Sequence, residues 1–389
     1  MRLIHTADWH LGRILKGQDR TPELEFALDQ LFQDAQELEI DAILIAGDVF
    51  DTTNPSIAAT RVAYEFFRKL SDARIPAIVI AGNHDSAARI DGHSSLLALA
   101  GVTALGKPRV AEAGGVIHLE TKQGKLTVGA MPFISERKLL DPDEIWNQTE
   151  TDRRSSYQET LSTLLEGFAA CFSEKSVNIV MAHATLSGAT LSHSERTLDS
   201  MGVYNLAATC MPATAQYSAL GHIHKPQKIT GAKIPTFYSG SLIQVDFGEA
   251  EEQKGYNLVD VEPEQPAKVE FRPLICQKPL KQVECQLQTL EAELEAHRHH
   301  CGYLKVMVHA SQRQTDLAQQ VRQICPQAIH VELRYPHSQT TVETRQSSEQ
   351  FNPLAAYQKY YQDKGKPEPS KTLVEKFRQL YEELEHEAS

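Results

Sequence analysis

Long apolar runs are missing from this 389-residue chain. No stretch approaches the roughly 18 apolar residues that a membrane span needs. The opening Met-Arg-Leu-Ile-His-Thr-Ala-Asp meets His5 and Asp8 before any signal-type apolar segment forms. We therefore expect no membrane span, no targeting segment and a cytoplasmic location. Paired cysteines are missing as well: Cys171, Cys210, Cys276, Cys285, Cys301 and Cys325 form no CxxC unit and no framework spacing. That excludes a disulfide scaffold and fits reduced thiols used for packing. Positive charge is scarce, with 39 Lys and Arg against 51 Asp and Glu, a net charge of −12. Such a molecule repels polyanions as a whole, so contact with nucleic acid requires a local basic face, bound cations or a partner.

What is present is an ordinary globular composition, 41% hydrophobic and 23% charged, which excludes disordered and collagen-like classes. At about 150 residues per domain, the length implies two or three domains. Short apolar runs at 2–6, 41–46 and 76–81 read as strands, separated by helical stretches at 23–39 and 55–72. In the first helix Leu24, Leu28, Leu31, Ala35 and Leu38 recur at helical spacing, so one face lies on a sheet. Further strands are expected at 126–133, 177–182, 218–221, 236–239 and 256–261, with a helix over 156–172. This is the alternation of an α/β sheet protein, and it carries one large domain over 1–265. Pro263, Pro266, Pro273 and Pro279 then suggest an inter-domain connection. Helices at 282–298 and 314–324 with strands at 303–308 and 329–334 make a small α+β domain over 266–337. The polar stretch 338–350 reads as a tether inside a last segment, 338–389, that ends in two short helices. Asn352-Pro353 suits the start of the first, and Ser370 or Thr372 that of the second.

Acids, amides and imidazoles stand just after several of the expected strands: Asp8-Trp9-His10, Gly47-Asp48, Gly82-Asn83-His84-Asp85, His183 and Gly221-His222-Ile223-His224. Strand ends of an open α/β sheet converge on one edge, where such folds build sites. Singly, each motif is weak, since Asp-x-His and Asn-His also arise in ordinary turns. Together they are costly to gather without a compensating charge, which a cation provides. Oxygen and imidazole donors without thiolate suit Mn²⁺, Mg²⁺, Fe²⁺ or Zn²⁺, and their number exceeds what one ion takes. Two metals sharing a bridge follow, with the lone Asp48 as the natural bridging carboxylate.

The series D-x-H, G-D, G-N-H-D, a lone His and G-H-x-H over residues 8–224 resembles the calcineurin-like metallophosphoesterase superfamily. The opening thirteen residues and Gly-Asp-Val-Phe-Asp-Thr at 47–52 resemble a bacterial DNA-repair nuclease branch of it. The resemblance implies two sheets sandwiched and flanked by helices, with a smaller α+β second domain and a C-terminal helical pair. It implies that Asp8, His10, Asp48 and His224 hold one ion, and that Asp48, Asn83, His183 and His222 hold the other. His84 then stands beside the metals as the catalytic residue, steadying charge or protonating the departing oxygen. Asp85 either orients that imidazole or simply starts a helix. Archaeal and eukaryotic relatives carry a histidine in the place of Asp51, which leaves the role of Asp51 open.

The activity implied is in-line hydrolysis of phosphodiesters with Mn²⁺ or Mg²⁺, by a DNA exonuclease and endonuclease acting on duplex ends and hairpins. The alternative is a general small-molecule phosphodiesterase. Trp9 is open to two readings, a base-stacking surface or a core residue. Arg13, Lys16 and Arg20 likewise form either a basic edge for DNA or a solvated loop. Phe351, Leu354, Tyr357, Tyr360 and Tyr361, with Leu373, Phe377, Leu380 and Tyr381, are too apolar for a free tail. They either fold back on the second domain or dock on a partner. The resemblance favours docking on a coiled-coil ATPase of SbcC type, in a heterotetramer built around a homodimer of this chain.

Overall fold

The computed structural model describes residues 1–135, 150–192, 205–310, 316–335, 357, 370–371 and 373–377, excepting the side chains of 150–154. The chain divides into two compact units, Met1–Tyr335 and Pro336–Ser389.

The first unit opens with β1 (Arg2–Thr6), the small hairpin of β2 (Ile14–Leu15) and β3 (Gln18–Asp19), and α1 (Thr21–Glu37). It continues through β4 (Ala42–Ile45), α2 (Ile57–Ala73), β5 (Ala77–Ile80), α3 (Ala87–Leu99) and β6 (Val102–Leu105). Then come β7 (Val116–Thr121), β8 (Gly124–Met131), α4 (Glu150–Ala170), β9 (Val177–His183), β10 (Tyr217–Gly221), β11 (Gln227–Lys228) and β12 (Thr236–Tyr238). Strands β13 (Gly255–Asp260), β14 (Lys268–Pro273) and β15 (Leu280–Gln286) precede α5 (Leu290–Glu295), β16 (Tyr303–His309), α6 (Leu317–Ile324) and β17 (Ala328–Arg334).

Two six-stranded sheets form the body, ordered β14-β13-β1-β4-β5-β6 and β11-β12-β10-β9-β8-β7. Strands β1, β4, β5 and β6 are parallel, as are β8, β9, β10 and β12. The strands of such a core are covered on both faces and are accordingly apolar throughout, as in Ala-Ile-Leu-Ile of β4, wholly buried. Alternate residues serve different layers. Leu3, Leu44, Ile78 and Ile80 meet Leu126, Val128, Ile179 and Met181 between the sheets. Their neighbours Ile4, Ile43, Ile45 and Val79 face outward against α1 to α3, while Val180, Ala182 and Leu220 lie under Leu161, Leu165 and Phe168 of α4. Helix α2 is capped by Ser56, whose hydroxyl accepts from Ala59 N at 3.2 Å, and stops at left-handed Arg74. It buries Val62, Phe66, Phe67 and Leu70, each worth about 1.5–3 kcal/mol of transfer free energy.

Two stretches differ from the sequence expectation. The proline-rich connection contains β14, which pairs antiparallel with β13 over six positions and closes at Pro273, where the sheet edge tolerates a missing N–H. The stretch read as a single helix over 282–298 begins as β15, because Leu280, Val283 and Cys285 turn inward while the residues between them face out. Helix α5 follows as a short piece, and β15, β16 and β17 are all parallel, with their own core of Val283, Leu294, Leu304, Val306, Val308 and Val321.

In the second unit Tyr357 and Phe377 stack at 4.2 Å, and the Ser370 hydroxyl accepts from Leu373 N at 3.3 Å, consistent with a helix start there. Leu373 is half-buried, and the expected apolar residues Phe351, Leu354, Tyr360, Tyr361, Leu380 and Tyr381 lie outside the described residues.

Candidate metal centre

The carboxyl ends of the two sheets meet face to face. Asp8 and His10 follow β1, Asp48 follows β4, and Asn83 and His84 follow β5. From the other sheet come His183, the last residue of β9, and His222 and His224, just beyond β10. The turns stay registered past the strand ends: Asp8 N donates to Gly47 O, His10 N to Asp48 O and Leu11 N to Val49 O, each at 3.0 Å. Asp8, His10, Asp48 and His222 all adopt left-handed backbone, with φ of 53°, 51°, 50° and 99°. That conformation is costly for side-chain-bearing residues and persists where the surroundings enforce it, as at functional sites. Two glycines permit the close approach: a Cβ on Gly47 would strike the His183 ring, and one on Gly82 would strike the Asp48 carboxylate.

The donors converge in overlapping groups. Ligand atoms of Asp8, His10 and His224 lie within 4.8 Å of one another, as do those of Asp8, Asp48 and His183. His10 Nε2 and His224 Nε2 are 3.0 Å apart. On the other side, Asn83 Oδ1 is 3.0 Å from both His183 Nε2 and His222 Nδ1. Asp48 Oδ2 stands between, 3.8 Å from His10 Nε2 and 3.5 Å from His183 Nε2. His84 shares a third such group with His10 and Asp48. Its own backbone N donates to Asp48 Oδ1 at 2.8 Å, and its Nδ1 lies 2.8 Å from Asp51 O. All eight residues singled out for metals and catalysis therefore gather at one place.

The electrostatics describe a pocket short of positive charge. Burial pushes the Asp8 carboxyl up to about 6, against the pull of His183 and His224. Burial also opposes ionisation of Asp48, but the imidazoles around it, His183 foremost, hold it well below the usual carboxylate range. The His183 ring is raised to about 9 despite burial, because Asp48 and Asp8 favour its cation. Burial and the charge of His183 hold His222 well below its ordinary value. A proton on His183 thus partly supplies the charge that the carboxylates demand.

The donor set fits divalent cations. His183 Nδ1 is 2.8 Å from Ala46 O, an arrangement in which it donates and leaves Nε2 to face Asn83 and Asp48. His224 Nδ1 lies 2.9 Å from Glu249 Oε1, again turning Nε2 inward. His10 Nδ1 is 3.3 Å from Asp51 Oδ1 without hydrogen-bond alignment. Such outer partners orient imidazoles toward a metal. Oxygen and nitrogen donors, with no thiolate among them, suit hard to borderline ions.

Some neighbours differ from expectation, and others decide between readings left open. Asp85 does not start α3, which is capped by the Ser86 hydroxyl. Its carboxylate accepts from Gly82 N, Val49 N and Phe50 N at 2.9, 3.2 and 2.9 Å, stitching the Asp48 turn to the Asn83 turn. Trp9 is fully buried, its indole N–H donating to Thr6 Oγ1 and its ring edge-on to Phe66, so of its two readings the core residue is the one that holds. Arg20 is equally buried and binds Glu23 and Gln244 O rather than forming a basic edge. Arg13 pairs with Asp51 at 3.2 Å, and Lys16 is exposed. Sequence reasoning missed Phe133, stacked on His222 at 6.0 Å, and Glu249. An acid 25 residues past His224 in an irregular loop carries no periodic signal.

The family model for calcineurin-like phosphoesterases matches residues 1–226. A second model, the type 5 capsule protein repressor C-terminal domain, matches residues 271–364. The SbcD component of the SbcCD nuclease of Bacillus subtilis is 37% identical over 268 residues, covering 68% of this chain and 67% of that protein. The protein of the same name from Staphylococcus epidermidis is 28% identical over 362 residues, covering 88% and 92%. A solved dimetal phosphatase from Danio rerio overlays with 10% identity and a TM-score of 0.45, covering 70% of this chain and 96% of its own. By the extent of the phosphoesterase match and by these two relatives, the chain belongs to the calcineurin-like phosphoesterase family, in its SbcD branch.

Proposed function

We propose that this chain is a metal-dependent DNA nuclease, cutting duplex ends as an exonuclease and hairpins or single strands as an endonuclease, in DNA repair. The observation that carries the reading is the meeting of Asp8, His10, Asp48, Asn83, His183, His222 and His224 where the ends of the two large sheets face each other, in a chain of this family. Asp8, His10, Asp48 and His224 would hold one divalent ion and Asp48, Asn83, His183 and His222 a second, with Asp48 shared. Mn²⁺ is the proposed ion, with Mg²⁺ as substitute. Such a pair supplies charge neutralisation at the phosphate oxygens and activates water for in-line attack.

The chain's own residues set the stage for that chemistry. Asp48 is fixed by the His84 backbone N–H and faces donors of both groups. Asp8 accepts from His222 N with both oxygens, at 3.0 and 3.1 Å, which ties the two sheets together at the site. With His84 Nδ1 donating to Asp51 O, Nε2 carries a proton only on the imidazolium form of the ring, and it is that form that can protonate a departing oxygen and be left neutral. Asp85 keeps the two turns at a constant separation.

The proposed partners are DNA and an SbcC-type coiled-coil ATPase. Tyr357, Leu373 and Phe377, with Phe351, Leu354, Tyr361, Leu380 and Tyr381, are the proposed docking residues. Exposed Ile57, Leu96 and Leu99 on α2 and α3 support a homodimer within that complex. Among the described residues no helix is long and apolar enough to cross a membrane, and a cytoplasmic site of action is proposed. Hydrolysis of hairpin DNA, linear duplex and a chromogenic phosphodiester with Mn²⁺ or Mg²⁺ tests the reading. Cleavage of both DNAs supports it; turnover of the small ester alone makes the chain a general phosphodiesterase.

A further inference from the structure

The loop between β12 and β13 encloses a buried charge network behind the His224 ring. The Glu249 side chain is wholly buried, and so is nearly all of Lys254. Glu249 Oε1 meets His224 Nδ1 at 2.9 Å, while Oε2 meets Lys254 Nζ at 2.8 Å and accepts from Val245 N at 3.0 Å. Lys254 Nζ donates in turn to His224 O at 2.8 Å, and Ser241 N donates to the same carbonyl at 3.1 Å. His224 is therefore gripped at both its ring and its backbone. Taking a carboxylate and an ammonium out of water is expensive, and a loop needing closure alone is closed more cheaply by apolar side chains.

The loop is also clamped from outside. Gln244 Oε1 accepts from Leu280 N of β15 at 2.7 Å, and Gln282 Nε2 donates to Phe247 O at 2.9 Å. Arg20 Nη1 donates to Gln244 O at 3.0 Å. The small parallel sheet and the front of the large domain thus hold the loop, and the loop holds the imidazole.

Resting on the reading of this centre as a two-metal site, we infer that Glu249 is a positioning residue. It fixes the Nδ1–H tautomer and the ring plane of His224, so that Nε2 is presented to one of the two ions, and Lys254 holds the carboxylate in place. A carboxylate behind a ligating imidazole typically changes metal affinity about 10–100-fold. The effect is selective, because the donors of the other ion, Asn83, His183 and His222, have different outer partners such as Ala46 O.

The test is calorimetric titration of the metal-free full-length chain with Mn²⁺ alone, supported by Mn²⁺ EPR. The wild-type chain is expected to take up two ions. Glu249→Gln weakens one of them about 10–100-fold and leaves the other unchanged. Should the lone substitution prevent folding, Glu249→Gln with Lys254→Met removes both charges together and carries the same expectation. Unchanged affinity at both sites, or equal weakening at both, overturns the inference and makes the network structural only. A wild-type chain that takes up no Mn²⁺ overturns the metal reading itself.

Discussion

The Nε2 atoms of His10 and His224, one from each large sheet, stand 3.0 Å apart in the core of the site. Two imidazole lone pairs cannot face each other at that distance, so a proton or a cation has to lie between them. Burial disfavours the His10 cation, whereas Glu249 holds His224 above its ordinary value against burial. These opposite shifts favour a proton on His224 over one on His10, and a divalent ion bound there would take its place.

Replacing His84 separates chemistry from metal retention. His84→Gln is expected to lower the turnover of linear duplex about 10²–10⁴-fold. Mn²⁺ stoichiometry measured on the same preparation should equal that of the wild type. Full activity would remove His84 from the reaction.

The Gly82 position leaves no room for a side chain. A Cβ there would collide with the Asp48 carboxylate and backbone nitrogen. Gly82→Ala should cost about 1–3 kcal/mol by overpacking. Thermal unfolding would show a lower midpoint together with reduced Mn²⁺ uptake. A variant with unchanged midpoint and uptake would mean that the turn relaxes freely.

His5 lies in the core, its ring 2.8 Å from Tyr217 Oη and 3.1 Å from Leu220 O. Burial pushes its imidazole down to about 3, against about 6.5 in an unfolded chain. The folded value is the lower one, so the unfolded chain binds the extra proton between these limits. The contribution of His5 is thus complete above about 6.5 and is lost as the pH falls. By about pH 5 the loss is about 2 kcal/mol. Urea midpoints taken at about pH 7.5 and about pH 5 should fall further for the wild type than for His5→Gln. Equal falls would contradict the assignment.

Deleting residues 340–389 should abolish association with the ATPase while sparing cleavage of a chromogenic phosphodiester. Co-purification that survives the deletion would defeat the docking proposal.

The chemistry-bearing residues were legible because each stands where an apolar strand stops, and strands end together in a parallel sheet. Asp48 after Ala-Ile-Leu-Ile and His183 at the end of β9 announce themselves in this way. Features that depend on distant partners were not legible. Strand β14 looks like a proline-rich connection until β13 is beside it, and β15 looks helical until β16 supplies its ladder. Arg20 sits in a segment whose polarity suggests a surface, yet Glu23 and Gln244 enclose it. Asp85 fell in a readable motif, but its three backbone donors come from turns that only the folded sheet brings together.

Metal content decides the central claim most directly. Crystals soaked in Mn²⁺ should show two anomalous peaks, one among Asp8, His10, Asp48 and His224 and one among Asp48, Asn83, His183 and His222, with Asp48 touching both. A single peak, or none, would contradict it.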